Sequence, residues 1–355
     1  MMKTLHSGVP ALLDWYCAVR RPLPFRENPT PYRVWVSEVM LQQTRIEAAI
    51  PYFERFMDAL PTVADLAATD EDRLLKLWEG LGYYSRVRNL QKAAQQVMER
   101  HGGELPADYD QLLALSGIGE YTAGAIASIA YGLPVPAVDG NVLRVFARLT
   151  AHRGDVLKPA VRRELREVVC AVLPKDAPGL FNEAVMELGE TVCLPNTQPH
   201  CEVCPLSAVC AAHAAGIEAE LPTRAAPKPR RIEQRTVVCV TTDEPTPRVW
   251  LRKRPATGLL AKLWEFPQVE GTLSAAEAAA AFDLQPKTTE QLPPAKHVFS
   301  HLEWQMTGVH LTVAPFDPPA GTVLVTAEEQ RTGHALPGAF AAYAAYLNKW
   351  LSKRE

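Results

Sequence analysis

Four cysteines crowd one short stretch of this chain: Cys193, Cys201, Cys204 and Cys210, separated by seven, two and five residues. Clustered thiolates repel one another unless a cation sits among them, so the block predicts a metal centre. Two centres compete, tetrahedral zinc and a 4Fe–4S cluster. A zinc knuckle usually pairs its ligands as two close couples far apart. Here they share one loop, with Pro205 directly after Cys204, which favours the cluster; disulfides are the weakest reading.

Two carboxylates stand out next. Glu38 lies within Val34-Trp35-Val36-Ser37-Glu38-Val39-Met40, followed by Leu41-Gln42-Gln43-Thr44. It is either an exposed helix glutamate or an acid on a buried face, where a raised pKa would let it donate a proton near neutral pH. Amides such as Gln42 and Gln43 can read base edges. Asp139, in Val138-Asp139-Gly140-Asn141, reads either as a helix N-cap or as a fixed carboxylate facing a cationic transition state. Twenty residues earlier, Leu115-Ser116-Gly117-Ile118-Gly119 forms a tight turn between helices. It is a plain linker or a place where backbone N–H groups hold a phosphate. Gly80-Leu81-Gly82-Tyr83-Tyr84-Ser85-Arg86 sets paired tyrosines beside basic residues, which suits base stacking, although core tyrosines at a helix start are common.

The elements that must position these groups fall into two blocks. The 355 residues suffice for two ordinary cores, with 47% hydrophobic and 22% charged residues. Residues 1–213 read as nearly all helix, from spacings such as Val142, Val145, Phe146 and Leu149, with Pro31, Pro51 and Pro178 among the prolines near helix starts. The Ala123, Gly124, Ala125, Ala127 and Ser128 face suits close packing. Residues 214–235 are proline-rich and basic and read as a connector. Residues 236–355 read as a small α+β domain: strands at 236–241 and 248–251, a hairpin from segments around 298–304 and 308–314, and helices at 274–282 and 339–351. A net charge of −3 and pI of about 6.3 neither advertise nor exclude nucleic-acid binding. No apolar run reaches the roughly 18–20 residues of a membrane helix, and Asp14 breaks the N-terminal apolar stretch that a signal peptide would need. The expected location is the cytoplasm. Cys17, Cys170 and Cys239 stand alone and read as buried small hydrophobes.

Taken together, SEVMLQQT at 37–44, GLGYYSR at 80–86, LSGIG with YTAGAIAS at 115–128, VDGNV at 138–142 and the cysteine loop resemble the adenine DNA glycosylase (MutY) family of the helix-hairpin-helix superfamily. The resemblance covers nearly the whole chain. It implies a multidomain fold: a mainly-α helix-hairpin-helix glycosylase with an iron–sulfur cluster loop, followed by an α+β Nudix-like domain that recognises 8-oxoguanine. By that resemblance Glu38 is the general acid on the leaving adenine, and Asp139 stabilises or captures the oxocarbenium-like sugar. Tyr121 and Asn141 line the adenosine pocket, with Arg26 nearby. Gln43, Leu81 and Tyr83 wedge the base stack, Thr44 touches the opposite base, and Gly117 and Gly119 belong to the DNA-binding hairpin.

The implied substrate is duplex DNA with adenine opposite 8-oxoguanine or guanine. It would be bound by a monomer with no membrane association, working at the nucleoid, and the cofactor is a 4Fe–4S cluster on the four cysteines. Chemistry agrees: cleaving an N-glycosidic bond needs an acid at the base and negative charge by the sugar, and the base must first leave the stack. Tyr121 stands where strand-cutting relatives carry a Schiff-base lysine, which implies base removal alone. Phe299, Ser300 and His301 match the loop that reads 8-oxoguanine. The phosphohydrolase acid cluster is absent, since Glu265 has no acidic partners. Three departures stand: seven residues rather than six between the first two cluster cysteines, no Lys or Arg in Leu194–His200, and Phe25 in place of tryptophan.

Overall fold

The computed structural model describes residues 2–226 and 229–354. The predicted ranges 1–213, 214–235 and 236–355 therefore extend at 1, 227–228 and 355 beyond the described residues.

Residues up to Ala68 together with Ser85–Ala226 form one compact helical unit. Its centre is built from Leu12, Tyr16, Val142, Phe146, Leu165, Val169, Phe181, Val185 and Leu188. The helix Pro31–Leu41 is capped by Thr30 with Pro31 in its first turn, and buries Tyr32, Val34, Trp35, Val36, Ser37, Glu38, Val39 and Met40. A helix that is apolar nearly all round must lie inside a core, and it carries Glu38 in with it. Its C-terminal end is closed by Arg86, whose guanidinium donates to the carbonyls of Val39 (2.8 Å), Met40 (3.0 Å) and Gln42.

The turn at residues 115–119 follows the short helix Tyr109–Leu113 and leads into Glu120–Ala125, which continues as a π-helical turn, Ile126–Ala130. Gly117 takes φ +75°, and a Cβ there would lie 2.5 Å from the Asn89 side chain, so the turn demands glycine. The expected small-residue face, Ala123, Gly124, Ala125, Ala127 and Ser128, is buried. The helices Gly140–Leu149, Pro159–Val172 and Pro178–Thr191 complete the unit around the site. Pro51 lies inside the helix Ile46–Ala59 rather than near its start, where burial of Ala49, Phe53 and Phe56 on that helix outweighs the lost N–H.

The second unit is discontinuous in sequence: Thr69–Tyr84 packs with the chain beyond the connector. Lys76 Nζ donates to the carbonyl of Gln330 at 3.2 Å, Glu79 accepts from the Leu336 N–H at 2.6 Å, and Lys253 pairs with Asp72 at 2.8 Å. These ties bind the helix Glu71–Leu77 to this unit.

Its seven-stranded mixed sheet comprises β1 (Arg231–Thr242), β2 (Val249–Lys253), β3 (Trp264–Glu265), β4 (Gln268–Glu270), β5 (Pro286–Val298), β6 (Leu302–Val313) and β7 (Thr322–Val325). The main order is β3-β2-β1-β6-β5, with β1 and β6 parallel and the other pairs antiparallel. Alternation along β1 sends Val237 and Cys239 to one core and Val238 and Val240 to the other. The helix Ala341–Leu351 covers the first face and Ala275–Ala281 the second.

Three sequence expectations change here. β1 already begins at Arg231, inside the stretch read as connector. The hairpin turn lies at 299–301, between β5 and β6, and 302–313 is one unbroken strand. Gly308 does not end that strand but opens space for the Tyr343 ring, which a Cβ would meet at 2.3 Å. Cys239 is buried as expected, but Cys17 and Cys170 are exposed on their helix surfaces.

Candidate functional site

The helical unit contains a cleft of about 1210 Å³, lined among others by Glu38, Tyr121, Asp139, Asn141, Arg26, Gln43, Thr44, Gly117 and Gly119. Nine sequence-predicted residues from four separate stretches thus share one space.

Glu38 is 8% exposed and accepts a short hydrogen bond from the Tyr121 hydroxyl. Burial pushes its carboxyl up to about 7; the Tyr121 hydroxyl opposes the shift, and the charges of Asp139 and Glu183 add to it. Tyr121 also lies 3.3 Å from Met186 Sδ. Burial and the neighbouring carboxylates push its phenol far above its ordinary value, so it stays a neutral donor.

Asp139 takes the N-cap position that one of its two readings gave, and its carboxylate also lines the cleft. Its Oδ1 accepts from the Val142 N–H at 2.7 Å as the N-cap of Gly140–Leu149, and its Oδ2 accepts from Asn141 Nδ2 at 3.0 Å. Burial raises its pKa, against the N–H groups of Val142 and Asn141. Asn141 is held in turn by Arg144 at 2.8 Å, and Arg144 Nε donates to the Cys193 carbonyl at 2.8 Å.

Sequence reading missed the acidic wall of the cleft. Glu183 and Glu187 project from Pro178–Thr191 into the same space. Glu187 binds Arg21 and Arg26, the latter at 2.8 Å. Burial alone would raise its pKa, but these two guanidiniums bring it below the ordinary range. Burial raises Glu183 instead. The helix carries three acids, Glu183, Glu187 and Glu190, but no local pattern in the sequence marks which of them reach the cleft. Phe25 lines the cleft and packs edge-on against Phe53 at 5.8 Å.

The remaining predicted DNA-contacting residues lie in the second unit. Leu81 is buried at 7% exposure, whereas Tyr83 is 51% exposed in a left-handed conformation. Phe299 packs edge-on against His297 and Trp304, and Ser300 and His301 stand exposed at the β5–β6 turn. The Tyr83 hydroxyl lies 3.2 Å from Ser300 Oγ, so the two predicted DNA-contacting loops meet. Glu265 is tied to Arg252 at 2.7 Å, to Arg254, and to Gln268 at 2.6 Å, so this acid is fully engaged.

The four cysteines line a common pocket in the helical unit. Burial pushes Cys201 and Cys204 up to about 11 and raises Cys210 as well, each repelled by the other sulfurs. Four mutually repelling sulfurs facing one space are the donor set a polynuclear cation would satisfy. Arg148 Nη1 donates to Cys193 Sγ at 3.1 Å, the kind of hydrogen bond that tunes a bound cluster. Beside Cys201 lie Glu218 and His213, also unforeseen from sequence, and their ligand atoms lie within 4.8 Å of one another and of the sulfur.

Residues 36–170 match the HhH-GPD superfamily base excision DNA repair proteins, and residues 237–346 match the NUDIX domain. An adenine DNA glycosylase of Rattus norvegicus is 36% identical over 351 residues, covering 82% of this chain and 68% of the relative. That of Homo sapiens is 35% identical, covering 91% and 70%. That of Buchnera aphidicola (strain APS) is 31% identical, covering 82% of each. This chain belongs to the adenine DNA glycosylase family. It is a hydrolase of base excision repair that acts on adenine in DNA. The helical fold is shared with a thermostable thymine-DNA glycosylase (TM-score 0.54, 24% identity, 60% of this chain and 98% of that one). It is shared too with a trapped endonuclease III–DNA covalent intermediate (TM-score 0.53, 23% identity, 61% and 99%). As an adenine DNA glycosylase it combines that fold with a Nudix-like domain, and no helix among the described residues is long and apolar enough to cross a membrane.

Proposed function

We propose that this glycosylase removes adenine opposite 8-oxoguanine or guanine by hydrolysis and leaves an abasic site without cutting the strand. The observation that carries the reading is Glu38: a buried carboxyl with a pKa near 7, hydrogen-bonded to Tyr121, in the same cleft as Asp139 and Asn141. A flipped adenosine enters this cleft. Glu38 gives its proton to the leaving base, and the glycosidic bond breaks with its electron pair going to adenine. The cationic sugar carbon faces the Asp139 carboxylate, which stabilises or captures it, and water completes the substitution, its proton leaving to Glu38. General acid help of this kind contributes roughly 10²–10⁴ in rate. Tyr121 offers no amine for a Schiff base, which is why the strand stays intact.

Arg26 holds the base-side wall, oriented by Glu187. By the family resemblance Gln43 in the helical unit and Leu81 and Tyr83 in the second each serve as residues that wedge the base stack, and the hairpin with Gly117 and Gly119 follows the backbone. Thr44 faces the opposite base; its buried hydroxyl has no hydrogen-bond partner among the described residues. Phe299, Ser300 and His301 read 8-oxoguanine. Cys193, Cys201, Cys204 and Cys210 would hold a 4Fe–4S cluster, which when bound fastens the 193–210 loop. The enzyme acts as a monomer on cytoplasmic, nucleoid-associated DNA.

The test is single-turnover cleavage of duplexes carrying adenine opposite 8-oxoguanine, guanine or thymine, developed with and without alkali. Excision that is fastest opposite 8-oxoguanine and visible only after alkali is expected. Equal rates on all three, or borohydride-trappable strand cleavage, would overturn the reading. Metal analysis should give about four irons per chain from four cysteine ligands; one zinc and no iron would refute the cluster.

A further inference from the structure

The cleft that must receive a polyanion is strongly acidic inside. Glu38, Glu120, Asp139, Glu183, Glu187 and Glu190 all line it. The cations that line it divide sharply. Arg21 and Arg26 are spent on Glu187, and Arg144 is buried and turned inward to Asn141 and the Gly189 and Cys193 carbonyls. Arg166 pairs with Glu120 at 3.6 Å and donates to the Tyr109 hydroxyl at 3.0 Å. Three remain: Arg162, Arg163 and Arg224 line the cleft, are exposed, and engage no carboxylate among the described residues.

Their placement follows from the helix Pro159–Val172. It buries Leu165, Val169 and Val172 against the core, and Arg162 and Arg163, at its N-terminal end before the first of these, are exposed. Arg224 comes from a different stretch, after the short 3₁₀ turn Glu218–Glu220. Like charges from two segments that face one cleft repel each other and lower folding stability, so their joint use is in binding an anion. Elsewhere near the cysteine loop the sequence offers no alternative: Leu194–His200 has no Lys or Arg, and His200 faces Glu202 at 3.5 Å.

We propose that Arg162, Arg163 and Arg224 form a cationic rim that holds the phosphodiester backbone of the duplex at the mouth of the cleft. This rests on the reading of the cleft as the adenine-excision site and adds a binding surface to it. The rim's job is positional and sequence-independent. It offsets the repulsion between DNA and the acidic wall without adding a cation to the interior, where it would pull the proton-holding Glu38 back toward its ordinary pKa.

The test is the salt dependence of duplex binding. Each phosphate contact contributes roughly 0.9 to the slope of log K against log salt. The combined Arg162→Ala, Arg163→Ala, Arg224→Ala protein should lose about 2–3 of that slope, and should bind undamaged and mispaired duplexes more weakly by the same factor. The three Arg→Lys changes should keep the slope. Single Arg→Ala changes, each read for a loss of about one, keep the test decisive if the triple variant folds poorly. Arg153→Ala, at an exposed arginine paired with Glu220 and outside the cleft lining, should leave the slope unchanged. An unaltered slope in the triple variant overturns the rim, as does a loss confined to the mispaired duplex, which would mean base reading instead. Adenine excision by the parent protein is scored separately: its absence would sink the catalytic reading while the salt slopes still judge the rim.

Discussion

Two buried glutamates in the two units carry the same side chain into opposite uses. Glu38, at 8% exposure, is pushed up to about 7 by burial, with Asp139 and Glu183 adding to the shift and the Tyr121 hydroxyl opposing it. Glu265, at 1% exposure, meets Arg252, Arg254 and Gln268, and both of its oxygens are engaged by donors. Burial alone decides neither outcome. Burial, with the charges of Asp139 and Glu183 added, holds a proton on Glu38 to give away, whereas Glu265 is tied by two guanidiniums and an amide and fastens its unit. The contrast explains why the Nudix-like sheet keeps an acid near its centre without the acid cluster that metal-dependent hydrolysis would need.

The largest effect should come from breaking the proton-holding side. Glu38→Gln keeps the shape and loses the proton, so single-turnover adenine excision should fall by roughly 10²–10⁴ or more while duplex binding persists. In the parent protein the rate should decline as pH rises through about 7, where Glu38 ionises. Stability has a matching sign. The folded pKa of Glu38 is raised from 4.5 to about 7, so its favourable contribution is complete below 4.5 and is lost as pH rises through 7. Glu38→Gln should therefore gain thermal stability on the parent between pH 5 and pH 8. A gap that shrinks with rising pH would contradict the assignment.

Asp139→Asn should come next. Asparagine still caps Gly140–Leu149, so the melting temperature should hold while excision falls by about a hundredfold or more from loss of the charge facing the sugar. Unchanged turnover would reduce Asp139 to a cap alone. Glu265→Gln reverses that pattern. It strands two guanidiniums and should destabilise the second unit by about 3 kcal/mol, less if the part-exposed Arg252 finds water. Thermal unfolding followed by tryptophan fluorescence reads this, since Trp250, Trp264, Trp304 and Trp350 all lie in that unit. A melting curve matching the parent's would show that the ion cluster does not fasten the sheet.

The sequence displayed the Glu38 side of this contrast and concealed most of the other. The apolar residues around Glu38 on the Pro31–Leu41 helix made burial one of its two readings, the one the structure shows, and the cap position of Asp139 follows from its place before a helix. Glu183 and Glu187 were not legible, because they reach the cleft from a helix more than forty residues past Asp139 and no local pattern marks that approach. The membership of Thr69–Tyr84 in the second unit was hidden for a related reason. It rests on single ties such as Lys76 to the Gln330 carbonyl and Glu79 to the Leu336 N–H, which leave no periodic trace. Strand β6 was read as part of a hairpin of its own, whereas it is one strand set antiparallel to β5 and parallel to β1, and no hairpin signal announces the parallel pairing.

The smallest predicted effect sharpens the comparison at the surface of the second unit. Ser300 sits at the exposed β5–β6 turn, whose base is held by the Phe299 N–H to Leu302 carbonyl bond at 2.8 Å and by Arg230 donating to the Phe299 carbonyl at 3.0 Å. The turn is thus fixed independently of the Ser300 side chain, whose hydroxyl reaches Tyr83 at 3.2 Å. A hydroxyl can donate and accept at once, so bonding to Tyr83 leaves it capacity for a base edge. Ser300→Ala removes that capacity without touching Glu38 or Asp139. Losing one contact worth about 1–3 kcal/mol should cut the preference for 8-oxoguanine over guanine several-fold while adenine is still excised. Tyr83→Phe removes the same internal bond from the other side and separates the two roles. If Ser300 works by touching the base, Tyr83→Phe keeps most of the preference; if it works by holding Tyr83, the two variants lose it equally. A preference unchanged in both, measured as the ratio of single-turnover rates on the two duplexes, would remove this turn from lesion recognition.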